Sequence, residues 1–265
     1  LVSRATTVTG SPFFAYASMH DNNLRLGNLD CMLSQKAFNS KLPYTYNPAN
    51  VSNADTQTEV EKTFTIKALK TSKMANTLKL IQEGAVTSDM CNTNLNTGQI
   101  FNQHFSVRDT LDKLSGHGII GENQNVFDTE FLMNENPVDT FNAQNIHTVT
   151  SSGTYGRYKS YHDEFDATKF KKKLESKALT NHLYKNMMNV VVEGAGFIVS
   201  KASVGDIVNL KIVNDNTEQD KNASEEDLID KAKSGDCIIY DTRHTFSGTQ
   251  HTVSINVCKL ERLSQ

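Results

Sequence analysis

Tryptophan is absent from this sequence of 265 residues, and proline and cysteine occur only four times each. The cysteines form no Cys-x-x-Cys pair and no Cys/His cluster at metal-ligand spacing, so neither a disulfide framework nor a structural zinc site is expected. We expect free thiols of the kind found in a reducing cytoplasm at Cys31, Cys91, Cys237 and Cys258.

The sequence also lacks a long apolar run and an excess of charge of one sign. No run approaches the roughly 20 apolar residues that span a bilayer, and the N-terminus shows no signal-peptide pattern. Lys and Arg total 27 against 30 Asp and Glu, so no global positive field attracts nucleic acid or anionic lipid. We therefore expect a soluble globular protein of about two domains that neither binds nucleic acid nor crosses a membrane.

Residues 1–165 predict a mixed α/β unit with long loops, and part of a first barrel within it is left open. A strand is expected over 12–17, and Asn28 is expected to cap a helix over 29–35. The other expectations are a surface loop over 41–61, a strand over 63–69, a helix over 74–81 and a helix from Ser106, which suits a capping box, to Gly116, which suits a C-terminal cap.

Residues 166–265 predict a β-barrel domain, so the fold class is α+β. A helix is expected to begin near Thr168 and to lead into strands. Apolar, β-branched runs separated by glycine turns predict strands over 190–192, 197–199 and 207–213. The acidic and polar stretch 214–234 is interpreted as a surface insertion.

Two strand-like runs, 237–246 and 250–260, flank Ser247-Gly248-Thr249 and predict an antiparallel hairpin. A two-residue loop at Ser247-Gly248 sets His244 opposite His251. One face is then largely apolar, and the other, which includes Ile239, is nearly all polar. The pattern determines the parity of the loop and leaves its length open.

The sequence contains no clear catalytic or metal-binding motif. His244 and His251 are interpreted as two half-buried histidines, because no third metal ligand is evident. His162-Asp163-Glu164 with Asp166 lacks the spacing of a calcium loop. Gly194-Ala195-Gly196 leads into β-type residues and is interpreted as a turn or bulge, since a phosphate-binding loop would lead into a helix. We expect no enzyme activity, no cofactor and no metal.

The order of the segments resembles the central baseplate hub proteins of contractile-tailed bacteriophages, the late control protein D family, whose architecture the type VI secretion spike proteins share. The aromatic strand Phe13-Phe14-Ala15-Tyr16, the polar turn and the helix over 29–35 resemble the middle region of that family. The helix from Thr168, Glu193-Gly194, the segment 204–210 and the closing segment 235–246 resemble its second β-barrel, with matching places for Arg243, His244, Phe246 and Lys259.

This chain departs from the family pattern in two ways. The family's first barrel has no counterpart ahead of the aromatic strand, and since the chain starts at Leu1 and not at Met we expect a further N-terminal region. The insertion over 214–234 is also longer than such a barrel loop needs.

The resemblance implies a structural role in the virion tail baseplate, after assembly in the host cytoplasm. A homotrimer with two barrels per subunit would form a pseudo-sixfold ring between the hexameric tail tube and the trimeric spike. Its partners would be the tube or tube-initiator protein, the spike protein and wedge proteins. Contacts are expected on barrel edges and on the final hairpin, at Asp241, Arg243, His244, Phe246, Thr252 and Ser254.

Two other functions remain open. A host-glycan or ligand-binding module would use the β-rich C-terminal domain and would not self-associate. A peptidoglycan-directed hydrolase would place carboxylates such as Glu164 and Asp166 in a cleft.

Overall fold

The computed structural model describes residues 5–7, 9–18, 20–21, 23–47, 59–72, 81, 86–94, 98, 100–116, 132–133, 135–137, 144–150, 168–184, 187–213, 229–231 and 233–259. These residues confirm the predicted mixture of helices and strands. The strands are β1 Phe13–Ala17, β2 Leu24–Asn28, β3 Tyr44–Tyr46, β4 Ala68–Ser72, β5 Thr87–Asn94, β6 Ile100–Ser106, β7 Leu132–Met133, β8 Asn136–Pro137, β9 Gln144–Thr150, β10 Met187–Glu193, β11 Ile207–Ile212, β12 Gly235–Ser247 and β13 Gln250–Cys258. The helices are α1 Leu29–Leu33, α2 Glu59–Phe64, α3 Val107–Gly116, α4 Thr168–Leu183 and α5 Gly194–Val199.

Contacts divide the chain into two compact units, each built from two segments of sequence. One comprises Leu1–Phe14 and Ala75–His182, and the other comprises Ala15–Met74 and Leu183–Gln265. The sequence predicts one boundary at residues 165–166, whereas strands from the N-terminal half join the second unit in the structure.

The first unit contains a three-stranded sheet. Its central strand, β5, pairs antiparallel with β6 and parallel with β9. Two predicted helices, α3 and α4, belong to this unit, and Ser106 accepts a hydrogen bond from the Asp109 backbone N–H (3.5 Å) at the start of α3, as a capping residue does. Its small core consists of Val86, Phe105, Val107 and Ala178.

The second unit is built on a six-stranded sheet in the order β3-β11-β12-β13-β10-β4. All neighbours are antiparallel except β3 and β11. The sheet curls until its two ends almost meet: Thr45 in β3 bridges Thr65, just before β4, and the Ile66 N–H donates to the Thr45 carbonyl at 2.9 Å. The sheet is therefore a nearly closed barrel, which removes most of its edge.

Alternating residues of the barrel strands fill its interior. The fully buried members include Tyr44, Val190, Val192, Val208, Ile239, Val253 and Val257, and Phe197 of helix α5 packs among them. Burying each large apolar side chain contributes about 1.5 to 3 kcal/mol, so this cluster is the main source of stability in the unit.

Three local predictions in this unit are wrong. The loop expected over 41–61 contains β3, and the strand expected over 63–69 begins as the end of α2. The run 197–199 is the end of helix α5, although its residues favour strands. Phe197 is fully buried in the barrel core, so tertiary packing overrides local β-propensity there.

The predicted hairpin of β12 and β13 is confirmed, but its turn lies one residue later than expected. Ser247 pairs with Gln250, which leaves Gly248 and Thr249 as the two-residue loop. Gly248 has a φ of +58°, which such a turn requires and glycine tolerates. His244 therefore lies opposite Val253, and the expected register with His251 is wrong.

A β-bulge at Tyr240 changes the faces in the first part of β12. The pairing shifts between Ile239 and Asp241, so Tyr240 is the extra residue. Ile239, expected on the polar face, is instead fully buried in the barrel core. A bulge has this effect because one inserted residue reverses the alternation of side chains.

Other predictions lie outside the described residues. These are most of the helix expected over 74–81, the segment containing Glu164 and Asp166, and most of the insertion over 214–234.

Candidate functional site

The six residues predicted for an interface all lie on the β12–β13 hairpin, on two different surfaces. Asp241, Arg243, Thr252 and Ser254 belong to the outer face of the barrel, because their neighbours in β13 point into the core. His244 and Phe246 lie on the inner side, at one end of the barrel. We call this end the barrel mouth and define it by Phe197, His244, Phe246 and His251.

A chain of side-chain hydrogen bonds crosses three strands of the outer face. Asn189 in β10 donates to the Ser254 hydroxyl (2.8 Å) and to the Asn256 carbonyl oxygen in β13. Asn256 in turn donates to the Asp241 carboxylate in β12 at 2.9 Å. The outer face is therefore a hydrogen-bonded polar surface in which most groups already have partners.

Two further features complete the outer face. Lys67 and Glu193 form an ion pair beside Thr252, which pairs with Glu193 across the sheet. Arg243 is exposed and makes no ion pair within the part of the chain that the structure describes. Its charge is therefore available to a partner.

The barrel mouth is a stack of aromatic and imidazole rings. His244 Nδ1 and His251 Nε2 lie 3.1 Å apart, and the two rings are nearly parallel. Phe246 stacks on His251 with ring centroids 4.2 Å apart, and Phe197 meets His244 edge-on at 5.8 Å. Phe246 is nevertheless 70% exposed, so one face of the stack is open to solvent.

Gly194 makes room for this stack. A Cβ atom at position 194 would lie 2.0 Å from His251 Nδ1, closer than any two such atoms approach. Glycine is therefore required where β10 passes into α5. Gly194-Ala195-Gly196, interpreted from the sequence as a turn or bulge, forms the first residues of helix α5 instead.

Burial governs the protonation of the mouth and of the barrel core. It lowers the pKa of His244 below its ordinary value, and the charges of His251 and His20 act in the same direction. Both imidazoles can share one hydrogen bond only while at least one is neutral.

Deeper in the barrel, burial raises the pKa of Tyr44 to about 12, and its hydroxyl has no hydrogen-bond partner among the described residues.

The cysteines are free thiols, in agreement with the sequence. Burial raises the pKa of Cys237 to about 12, so this thiol is unreactive at neutral pH.

Among the described residues, no group of three or more His, Cys, Asp or Glu side chains is arranged to hold a metal ion. None of the helices searched in that same part of the chain is long and apolar enough to cross a membrane.

Sequence reasoning missed several residues that build these two surfaces. Asn189 and Asn256 interrupt apolar strands at outward positions, a pattern that could have indicated the outer face. Phe197 gave no local signal of its role, because its neighbours at the mouth come from distant parts of the sequence.

No protein-family model and no curated protein matches this chain. Among solved structures, it is similar to the 43 kDa tail protein of prophage MuSo2 from Shewanella oneidensis, with a TM-score of 0.39 and 9% sequence identity. The alignment covers 94% of this chain and 50% of that chain, so this chain spans about half of that protein's length.

Proposed function

We propose that this protein is a structural hub protein of a contractile phage tail, located in the virion baseplate. Three copies form a pseudo-sixfold ring that joins the hexameric tail tube to the trimeric spike, and the tube, spike and wedge proteins are its partners. The proposal needs no catalysis and no cofactor. The observation that carries it is the nearly closed six-stranded barrel with its long final hairpin, together with the order of segments in the sequence.

The hairpin supplies an open strand edge for such a ring. β11 pairs with β12 only over residues 235–238, whereas β13 pairs with β12 as far as Ser247. Within the described residues, the part of β12 over 241–247 thus has a strand on one side only. Unpaired backbone groups on such an edge pair readily with a strand of another chain.

The register shows which backbone groups face the open edge. In a hairpin with a two-residue loop, the pair that closes the loop is hydrogen-bonded, and such pairs alternate along the ladder. Counted from Ser247 and Gln250, the backbone groups of Thr242, His244 and Phe246 point away from β13. A neighbouring subunit can therefore add a strand there without disturbing the hairpin.

The test is the mass of the chain in solution by light scattering over a concentration series, alone and with tube or spike protein. We expect a trimer, or a monomer that becomes trimeric when spike protein is added. Thr242→Pro blocks the open edge and should abolish the trimer, since proline removes an outward N–H that the hairpin does not use. Thr242→Val keeps that N–H and should assemble like the unaltered chain.

Thermal unfolding followed by circular dichroism separates loss of assembly from loss of fold. A strict monomer that ignores every tail partner would overturn the proposal. If Thr242→Pro still forms a normal trimer, the open edge of β12 is not part of the subunit interface.

A glycan- or ligand-binding module is the second candidate, and the exposed ring of Phe246 favours it. An exposed aromatic face is a common contact for sugar rings and other flat ligands. This candidate requires a monomer whose glycan binding is lost in Phe246→Ala. Glu164 and Asp166, the carboxylates named for the hydrolase, lie outside the described part of the chain, so that function stays a prediction.

A further inference from the structure

The proposed strand addition uses the backbone of His244 and not the two imidazoles of the barrel mouth. Their facing nitrogens, His244 Nδ1 and His251 Nε2, lie 3.1 Å apart. Neutral imidazole nitrogen is a preferred ligand of zinc, nickel and copper ions. The pair therefore invites a comparison with the geometry of a metal site.

The spacing is close to that of two ligands on one metal ion. With zinc–nitrogen distances of about 2.0 to 2.1 Å, two nitrogens on a tetrahedral ion lie about 3.3 Å apart. In such a site each lone pair points about 35° away from the line that joins the nitrogens. If both rings rotate by that amount, their lone pairs no longer point at each other. They then point at one shared position, which the ion would occupy.

The residues around the two rings keep the rings next to each other. Phe246 covers one face of His251, and the absent side chain of Gly194 leaves space for the same ring. Phe197 packs its edge against His244. Because the two rings already lie next to each other, an ion needs only the rotation described above to contact both nitrogens.

Protonation also suits metal binding. Because the facing nitrogens share one hydrogen bond, at least one ring of the pair is neutral, as a ligand must be. When an ion binds, the proton shared between the rings moves to the outer nitrogen of the ring that carried it, His244 Nε2 or His251 Nδ1. The neutral pair thus binds an ion without net release of a proton, whereas a singly protonated pair releases one.

We propose that His244 Nδ1 and His251 Nε2 form a two-histidine site for a divalent transition-metal ion such as Zn²⁺, with water completing the coordination. This goes against the expectation from the sequence, which rested on the missing third ligand. The described residues supply two ligands only, so the site is exchangeable and weaker than a closed structural zinc site. Such an ion would join β12 to β13 close to the hairpin turn.

The test is a calorimetric titration of the chelator-treated, tag-free chain with ZnCl₂ at pH 7.5. We expect one ion per chain, and a loss of affinity of at least tenfold in His244→Gln and in His251→Gln. His104→Gln is the matched control, because His104 is an exposed histidine paired with Asp89 elsewhere in the chain. It should bind zinc like the unaltered protein.

A second measurement avoids substitutions altogether. In long-range ¹H–¹⁵N spectra of the unaltered chain, zinc should shift the resonances of His244 Nδ1 and His251 Nε2. Absence of binding would overturn the proposal and leave a hydrogen-bonded pair. Binding that survives in both glutamine variants, or that shifts other nitrogens, would also overturn it.

Discussion

The two halves of β12 belong to one strand but differ in their neighbours. Near Ile238 the strand has β11 on one side and β13 on the other, whereas residues 241–247 pair with β13 alone among the described strands. Ile239, next to the bulge, is fully buried, and Phe246, close to the turn, is 70% exposed. Both are large and apolar, so the number of flanking strands decides their burial, not their hydrophobicity. The half with one neighbour is also the half that offers backbone and rings to another molecule.

The sharpest test of this comparison is removal of side-chain volume from each half. Ile239→Ala should lower the free energy of unfolding by about 3 kcal/mol, because it leaves a cavity in the barrel core. Phe246→Ala should cost less than about 1 kcal/mol, since its ring is largely in water and loses mainly one stacking contact. Urea denaturation measures both, and Ile239→Val, at about 1 kcal/mol, calibrates the core value. Equal costs for the two alanine variants would contradict the comparison.

A methyl group at position 194 should disturb the end of the hairpin near the turn, where the His251 ring lies against Gly194. Gly194→Ala is expected to cost about 2 kcal/mol, because the new Cβ meets the His251 ring and forces it out of the stack. Urea denaturation gives the cost, and the His251 ring resonances report the movement. The neighbouring exposed Ala195 provides the control, since Ala195→Ser should stay within about 0.5 kcal/mol of the unaltered chain. An unchanged His251 environment in Gly194→Ala would show that this contact is not restrictive.

Removal of one buried oxygen atom should stabilise the interior of the barrel. The Tyr44 hydroxyl is buried without a hydrogen-bond partner among the described residues, so Tyr44→Phe should raise the free energy of unfolding by about 1 kcal/mol. Tyr46, two residues later, is only half-buried, and Tyr46→Phe should have almost no effect. Thermal unfolding compares the two. A destabilised Tyr44→Phe would indicate that the hydroxyl is bonded in solution.

The smallest expected effect is a pH dependence at the mouth. Burial lowers the pKa of His244 in the folded chain below the ordinary value of 6.5. As the pH falls below about 6.5, the unfolded chain takes up the proton first, so the free energy of unfolding decreases until the folded-state pKa is passed. The change is modest because the ring is only half-buried and water screens its charge. Urea denaturation at pH 7.5 and pH 5 should show a smaller decrease in His244→Gln, and an equal decrease would assign the pH dependence to other groups.

Elements with local signals were predicted well. Asn28 caps α1 by accepting a hydrogen bond from the Cys31 backbone N–H (2.8 Å), as its residue type indicates. Ser106 begins α3, and the run from Thr168 forms α4. These signals lie within a few residues of the element they define, so sequence reading can detect them.

Elements defined by distant contacts were not predicted. Strand β3 exists because Tyr44 and Tyr46 pair with Leu210 and Ile212, and α5 exists because Phe197 packs into the barrel. Within the candidate site, the alternation of polar and apolar residues was enough to predict the hairpin. It also predicted that the polar residues after the bulge share one face. The contact of His244 with His251 did not, since it depends on where the turn falls.

By itself, the sequence determined the α+β class, the capped helices and the hairpin, because backbone preference and side-chain alternation act between neighbours in the chain. Only the tertiary structure decided the near closure of the barrel, the bulge at Tyr240 and the ring stack at the mouth. Each of these depends on surfaces that come together only when strands from both halves of the chain pair. Packing between distant segments then outweighs local preferences of about 1 kcal/mol or less per residue.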